Sequence, residues 1–186
     1  MKRILSVLIL VVLVFSLASC GDDSVPDGMK LASDTSIVDY SLFVPESWII
    51  DYQEGYSMAH VSDADQSSVI VMQWNMSDAY GNFDAWFEEF SSQLELSFSD
   101  ITFLTENEGD LLGGDQTPAK AYVYTASLAN TGIYYKYKTV AAFHGGSVYV
   151  MTFTFIQDEG EGTLTYSSFD NSQETMEQII NNFRFN

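Results

Sequence analysis

Apolar residues recur with two different periods along this chain, and the changes of period outline its elements. Residues 4–17 are apolar except for Ser6 and Ser16, a block with neither period. Beyond a polar stretch, residues 37–50 read as a strand broken at Pro45-Glu46-Ser47, because proline cannot donate to a sheet ladder; Trp48 follows as an aromatic anchor. Residues 57–61 and 68–76 read as a hairpin around the polar segment 62–67, with Val69, Val71 and Gln73 alternating against Ile70, Met72 and Trp74. The period then changes. Phe83, Trp86, Phe87, Phe90 and Leu94 fall at helical spacing, opposite Asp84, Glu88, Glu89 and Gln93. Asn82 is placed to cap that helix, and Asp84 suits the positive end of its dipole.

Three strands are expected next, after residues 101–105 and a polar stretch holding Gly113-Gly114. They cover residues 121–128, 133–144 and 148–156, broken at Asn130-Thr131-Gly132 and at the two-residue hairpin signal Gly145-Gly146. In the middle strand Ile133, Tyr135, Tyr137 and Phe143 share one face, opposite Lys136, Lys138 and His144. That pattern predicts one face against a helix and the other partly wet. Met176, Ile179, Ile180 and Phe183 form a closing helical stripe, with Asn171 and Glu174 at capping-box spacing. The predicted class is α+β, an antiparallel β-sheet with packed helices.

The stretch Tyr40-Ser-Leu-Phe-Val-Pro-Glu-Ser-Trp48 resembles the opening of PsbP/Mog1-like domains, including the bacterial lipoproteins of that group. Gly113-Gly114 leading into Ala119-Lys-Ala-Tyr-Val-Tyr124 is similar to later landmarks of the family, as are Tyr149-Val-Met-Thr-Phe-Thr-Phe155 and Ile179-Ile180 before Phe183. The resemblance covers residues 36–186 and implies an α/β/α sandwich. Family members include photosystem II accessory subunits and a nuclear-transport cofactor, which bind other proteins. None of their binding residues carries over to a position here, and a shared fold is a weak warrant for a shared function.

Lys2 and Arg3 ahead of the apolar block make a signal-peptide pattern, too short for the roughly 20 apolar residues of a membrane span. The block ends in Leu17-Ala18-Ser19-Cys20, which resembles the lipobox of bacterial lipoproteins. That resemblance implies cleavage after Ser19 and a diacylglycerol thioether on Cys20, the chain's single cysteine. A secretory leader with a coincidental cysteine is the alternative. The expected organisation is a signal peptide over 1–19, a lipidated N-terminus and acidic tether over 20–35, and a folded domain over 36–186. As a coil the tether would average on the order of 20 Å. Gly21-Asp22-Asp23 is not a clean retention signal for a two-membrane envelope, so both envelope types stay open.

Charge narrows the function classes. The chain carries 7 Lys+Arg against 26 Asp+Glu, a net charge of −19. Once residues 1–19 are removed, Lys30, Lys120, Lys136, Lys138 and Arg184 are the basic residues left, giving 5 − 26 = −21. Such a surface lacks the basic stripe that nucleic acid requires and is repelled by anionic lipid headgroups. A hydrolytic triad would need His60 or His144, and no G-x-S-x-G turn supplies a nucleophile. Two histidines are too few for an ordinary structural zinc site, so no metal or cofactor is expected. Asp63-Ala64-Asp65 begins like a calcium loop, but Ser68 and Trp74 stand where the turn glycine and the bidentate glutamate belong. Asp158-Glu159-Gly160-Glu161 could hold a cation weakly, though a solvated loop accounts for it more simply.

These observations converge on a non-catalytic, membrane-anchored extracytoplasmic lipoprotein that binds or scaffolds another protein. The alternative is a small-ligand or cation-binding lipoprotein with a pocket between helix and sheet, lined by aromatics such as Trp48 and Tyr124. The anchor carries its own prediction. Protein from its native membrane partitions into detergent with a diacylglycerol mass increment, whereas Cys20→Ala stays in the aqueous phase at unmodified mass.

Overall fold

A tight turn fixes the centre of the sheet. Gly145 and Gly146 both have positive φ, 57° and 89°, the conformation that a two-residue hairpin turn matching strand twist requires. The strands they join run from His144 opposite Ser147 to Tyr135 opposite Ile156 without a slip. The computed structural model describes residues 25–74, 81–128, 131–158 and 164–186. The signal-peptide and lipobox positions, Cys20, the end of the expected strand at residues 75–76, Asn130 and residues 159–163 lie outside them.

In chain order the elements are β1 (Met29–Leu31), β2 (Tyr40–Ser41), β3 (Phe43–Pro45), β4 (Ile49–Gln53), β5 (Tyr56–His60) and β6 (Ser68–Trp74). Then come α1 (Phe83–Ser97), β7 (Phe98–Leu112), β8 (Thr117–Leu128), β9 (Tyr134–His144) and β10 (Ser147–Ile156). The chain closes with α2 (Ser167–Asn171), α3 (Gln173–Asn182) and β11 (Arg184–Phe185). Strands β4-β5-β6-β10-β9-β8-β7 form one antiparallel sheet of seven strands, flanked by the two-stranded pairs β1-β3 and β11-β2. Helix α1 therefore carries the chain from the centre of the sheet, beside β6, out to its edge at β7.

Each face of the sheet carries a packed layer, partial on one side and complete on the other. On one, Trp86 and Phe90 of α1 pack on Tyr122, Tyr124, Tyr137, Ala141, Val148 and Val150. The predicted stripe supplies these contacts, and Asn82 Oδ1 accepts from the backbone N–H groups of Asp84 and Ala85 at 3.1 and 3.2 Å, as its capping position requires. On the other face the N-terminal segment, α2 and α3 bury Leu42, Trp48, Phe169, Met176, Ile179 and Phe183 against Val71, Val140, Met151 and Phe153.

Four details add to or differ from the sequence-based expectation. The Lys136 face of β9 is packed by C-terminal elements that fold back over it, burying Val140 and Ala142 while Lys136, Lys138 and His144 keep the partial exposure expected of them. Lys136 Nζ sits 3.9 Å from the Phe169 ring centroid and 3.7 Å from Asp170, and the His144 ring stacks on Phe185 at 4.1 Å. The capping box of Asn171 and Glu174 does not form; Asn171 ends α2, and α3 starts after Ser172 with no side-chain cap bond. Met29–Leu31 pairs with Phe43–Pro45, and Met29, Ala32 and Ser33 are buried, so residues 29–33 belong to the packed body. Finally, β7 runs on directly from α1, with register shifts against β8 and Asp100 at φ 53°. Such bulges bend an edge strand away from pairing with another chain.

The β7–β8 turn is fastened to the end of the last helix. Gly113 N–H donates to Ile180 O at 2.9 Å and Gly114 N–H to Phe183 O at 3.2 Å, satisfying carbonyls that the end of α3 leaves open. Gly113 has φ +80°, and a Cβ there would lie 2.2 Å from Phe183 O. Gly113→Ala is expected to cost at least ~3 kcal/mol in denaturant unfolding, through left-handed strain plus a backbone collision. Gly55, at φ +86°, faces open space, and Gly55→Asn is expected to cost under ~1 kcal/mol in the same measurement.

Candidate functional site: an aromatic groove between helix and sheet

Helix α1 covers only part of its sheet face. Cross-strand pairing sets Asp51, Met58, Ile70, Thr152, Thr139 and Tyr122 in one row on that side, running from β4 to β8. Thr139 and Tyr122 are buried, whereas Met58, Ile70 and Thr152 are only half-buried, as is Met72 in the adjacent row. Where the covered and uncovered parts meet, an open groove of about 390 Å³ runs between α1 and strands β6, β10, β9 and β8. Its volume lies within the roughly 300–1,000 Å³ of ordinary small-molecule sites.

The groove is built by two periodicities meeting. Phe90, Gln93, Leu94 and Ser97 come from one side of α1; Ile70, Met72, Trp74, Thr152 and Thr154 come from alternate positions of β6 and β10. Tyr124 and Tyr137 form its floor, stacked at 4.9 Å, with Phe98 edge-on to Tyr137 at 5.6 Å. Trp74 stands 6.1 Å from Phe90. Among the described residues no charged side chain lines the groove. Burial pushes the Tyr124 hydroxyl up to about 12, partly offset by a hydrogen bond with Thr139. Tyr137 is raised too, first by burial and then by Tyr124 and Tyr135. Both phenols are neutral throughout the physiological range.

Trp48 and Tyr124, the two aromatics expected to line one pocket, lie on opposite sides of the sheet. Tyr124, 2 % exposed, sits under the groove; Trp48, 6 % exposed, is packed in the core of the other face beneath the C-terminal helices. One pocket does not bring them together. Sequence patterning does not single out Trp74, Tyr137 and Phe98 as groove residues, although Trp74 stands in the alternating run of β6 and Tyr137 on the apolar face of β9. Which end of that face α1 leaves open depends on the crossing of helix over sheet, and no local pattern records that.

The two histidines are apart. His60 Nδ1–H donates to Asp51 Oδ2 at 2.6 Å, which fixes the ring. Ser68 is the cross-strand partner of His60, but among the described residues no hydrogen bond joins them. His144 lies at the hairpin end, stacked on Phe185. Among the described residues no group of three His, Cys, Asp or Glu side chains is placed to hold a metal ion. A second open cleft, of about 620 Å³, lies where the segment around β1–β3 meets β11, between Val25, Leu31, Phe43 and Arg184.

This arrangement, an antiparallel sheet with helices on both faces and the last helix returning over the β7–β8 turn, is the Mog1/PsbP-like α+β fold. The Ran-binding protein Mog1p of Saccharomyces cerevisiae superposes with a TM-score of 0.60 at 12% identity, over 84% of this chain and 95% of that one. A protein of unknown function from Pseudomonas aeruginosa superposes with a TM-score of 0.52 at 12% identity, over 81% of this chain and 92% of that one. At such identity the likeness is one of fold alone. No family model matches the chain, and no curated protein matches it.

The raised tyrosines set an alkaline limit. Their folded-state affinity for the proton exceeds the unfolded one, so this contribution to stability is complete below the unfolded value near 10 and is lost as pH rises through the folded values. Unfolding free energy is expected to fall steadily above pH ~10, and Tyr124→Phe to flatten that fall, as read from urea titrations between pH ~8 and ~12.

Proposed function

We propose that this chain is a non-catalytic, lipid-anchored module that binds another protein at the extracytoplasmic face of the cytoplasmic membrane. The observation that carries the reading is the uncovered part of the sheet beyond α1. Met58, Ile70 and Met72 are half-buried there, on rigid strands, and Ile49 is 38% exposed. Apolar side chains left in reach of solvent on a fixed surface are what a partner can cover, and methionine adapts to the shape of what covers it. The anchor half of the proposal rests on Leu17-Ala18-Ser19-Cys20. The same fold in Mog1p serves a Ran-binding protein, a precedent for this architecture as a binding platform.

A second reading, a small-ligand site, is favoured by the charge-free aromatic lining of the adjoining groove. The two readings use neighbouring parts of one face and are separable. A photo-crosslinking amino acid placed at Met58 in cells is expected to yield a discrete adduct with a second protein, and none when placed at Glu177, exposed on α3. Adducts at Glu177 alone, or at neither position, would overturn the protein-binding reading.

A further inference from the structure

We infer that the groove beneath α1 is a site for a small organic cation of the quaternary-ammonium class, free in solution. The inference rests on the small-ligand reading of the groove and names its ligand. Five aromatic side chains take part in the lining: Trp74 and Phe98 are half-buried and within reach of a ligand, while Phe90, Tyr124 and Tyr137 are buried in the groove wall and floor. Aromatic faces carry negative potential, which attracts a cation approaching a ring. Among the described residues no lysine or arginine lines the groove to occupy it, and no carboxylate does so either.

That second absence selects the kind of cation. A calcium or magnesium ion needs several oxygen ligands and gives up its water reluctantly, so a groove of rings, apolar side chains, hydroxyls and one amide does not hold it. A quaternary ammonium has no N–H to satisfy and is weakly hydrated, so aromatic faces suit it. Thr152, Thr154, Gln93 and Ser97 offer neutral polar groups to a hydroxyl or similar substituent on the same molecule. The chain also settles one of its own cations on a ring, Lys136 Nζ over Phe169 at 3.9 Å.

Long-range charge acts in the same direction. A net charge of −19 raises the local concentration of cations and repels anions, including anionic lipid surfaces. On the groove's own face Asp51 stands two strands from Ile70, about 10 Å away at ordinary strand spacing, at the end of the uncovered row. An anionic or strongly hydrated ligand is rejected by this combination, and a free cation is preferred to one carried on a membrane surface.

The experiment is calorimetric titration of the full-length lipoprotein in phosphatidylglycerol nanodiscs, with empty discs subtracted. The probes are choline and its uncharged carbon isostere 3,3-dimethylbutan-1-ol. Choline is expected to bind at least tenfold more tightly, and Met72→Lys to remove that binding by at least tenfold. Glu177→Lys, which makes the overall charge less negative away from the groove, should leave it within about twofold. Phe98→Leu, which removes one half-buried ring, should weaken choline and spare the isostere if Met72→Lys fails to fold. Equal binding of choline and the isostere would overturn the cation assignment and leave the ligand reading of the groove standing. Binding of neither probe would overturn both. Choline binding that survives Met72→Lys and Phe98→Leu would place the site elsewhere and overturn the assignment to this groove. Competition by added phosphatidylcholine vesicles would assign the headgroup of a lipid, and overturn the free ion.

Discussion

The rest of the structure depends on burying β10 from both sides. Val148 and Val150 point towards α1, while Tyr149, Met151, Phe153 and Phe155 point towards the N-terminal segment and the C-terminal helices. A strand apolar on both faces is stable only as an inner strand with a layer on each side, and that requirement makes a three-layered body out of a sheet that could have been two-layered. It also explains why β6 and β9 flank β10, since each offers it complementary residues on both faces in continuous register.

The second layer is closed by elements far apart in sequence. Tyr40 stacks on Phe183 at 5.4 Å and donates its hydroxyl to Val71 O at 3.1 Å, tying the N-terminal segment to the C-terminal end of α3 and to the centre of the sheet. Tyr149 donates to Asp39 Oδ2 at 2.6 Å, and β11 pairs with β2. With the Gly113 turn bound to the carbonyls of Ile180 and Phe183, the end of the chain becomes a clasp. The Tyr40 and Tyr149 hydroxyls of that clasp are hydrogen-bonded, as polar groups in a buried layer must be.

Legibility follows the range of the interactions. The α1 stripe and its Asn82 cap, the Gly145-Gly146 hairpin and the alternation of β6 are local, and each can be read from a short window of sequence. The cover over Lys136 and His144 cannot. Both positions read only as a partly wet face because their partners, Phe169, Asp170 and Phe185, arrive from the far end of the chain. Met29–Leu31 reads as tether for the same reason: its partner strand lies beyond a polar loop, and three residues show no periodicity of their own. For the site, Tyr124 is legible as an aromatic of β8 facing a helix. The separation of Trp48 from it is not, because strand alternation gives a face only relative to its own strand.

The groove is then a consequence of geometry. A fifteen-residue helix is about 22 Å long. Seven strands at ordinary spacing are wider than that, so α1 cannot roof the whole face. An uncovered remainder is forced. What geometry does not force is its chemistry: this chain carries 26 acidic residues, and among those described none enters the groove lining. On the solvent side of α1, by contrast, Asp84, Glu88, Glu89 and Glu95 crowd within little more than three turns. The same helix therefore sets an acidic outer surface against an uncharged aromatic inner edge, a contrast that burial alone does not require at a groove open to water.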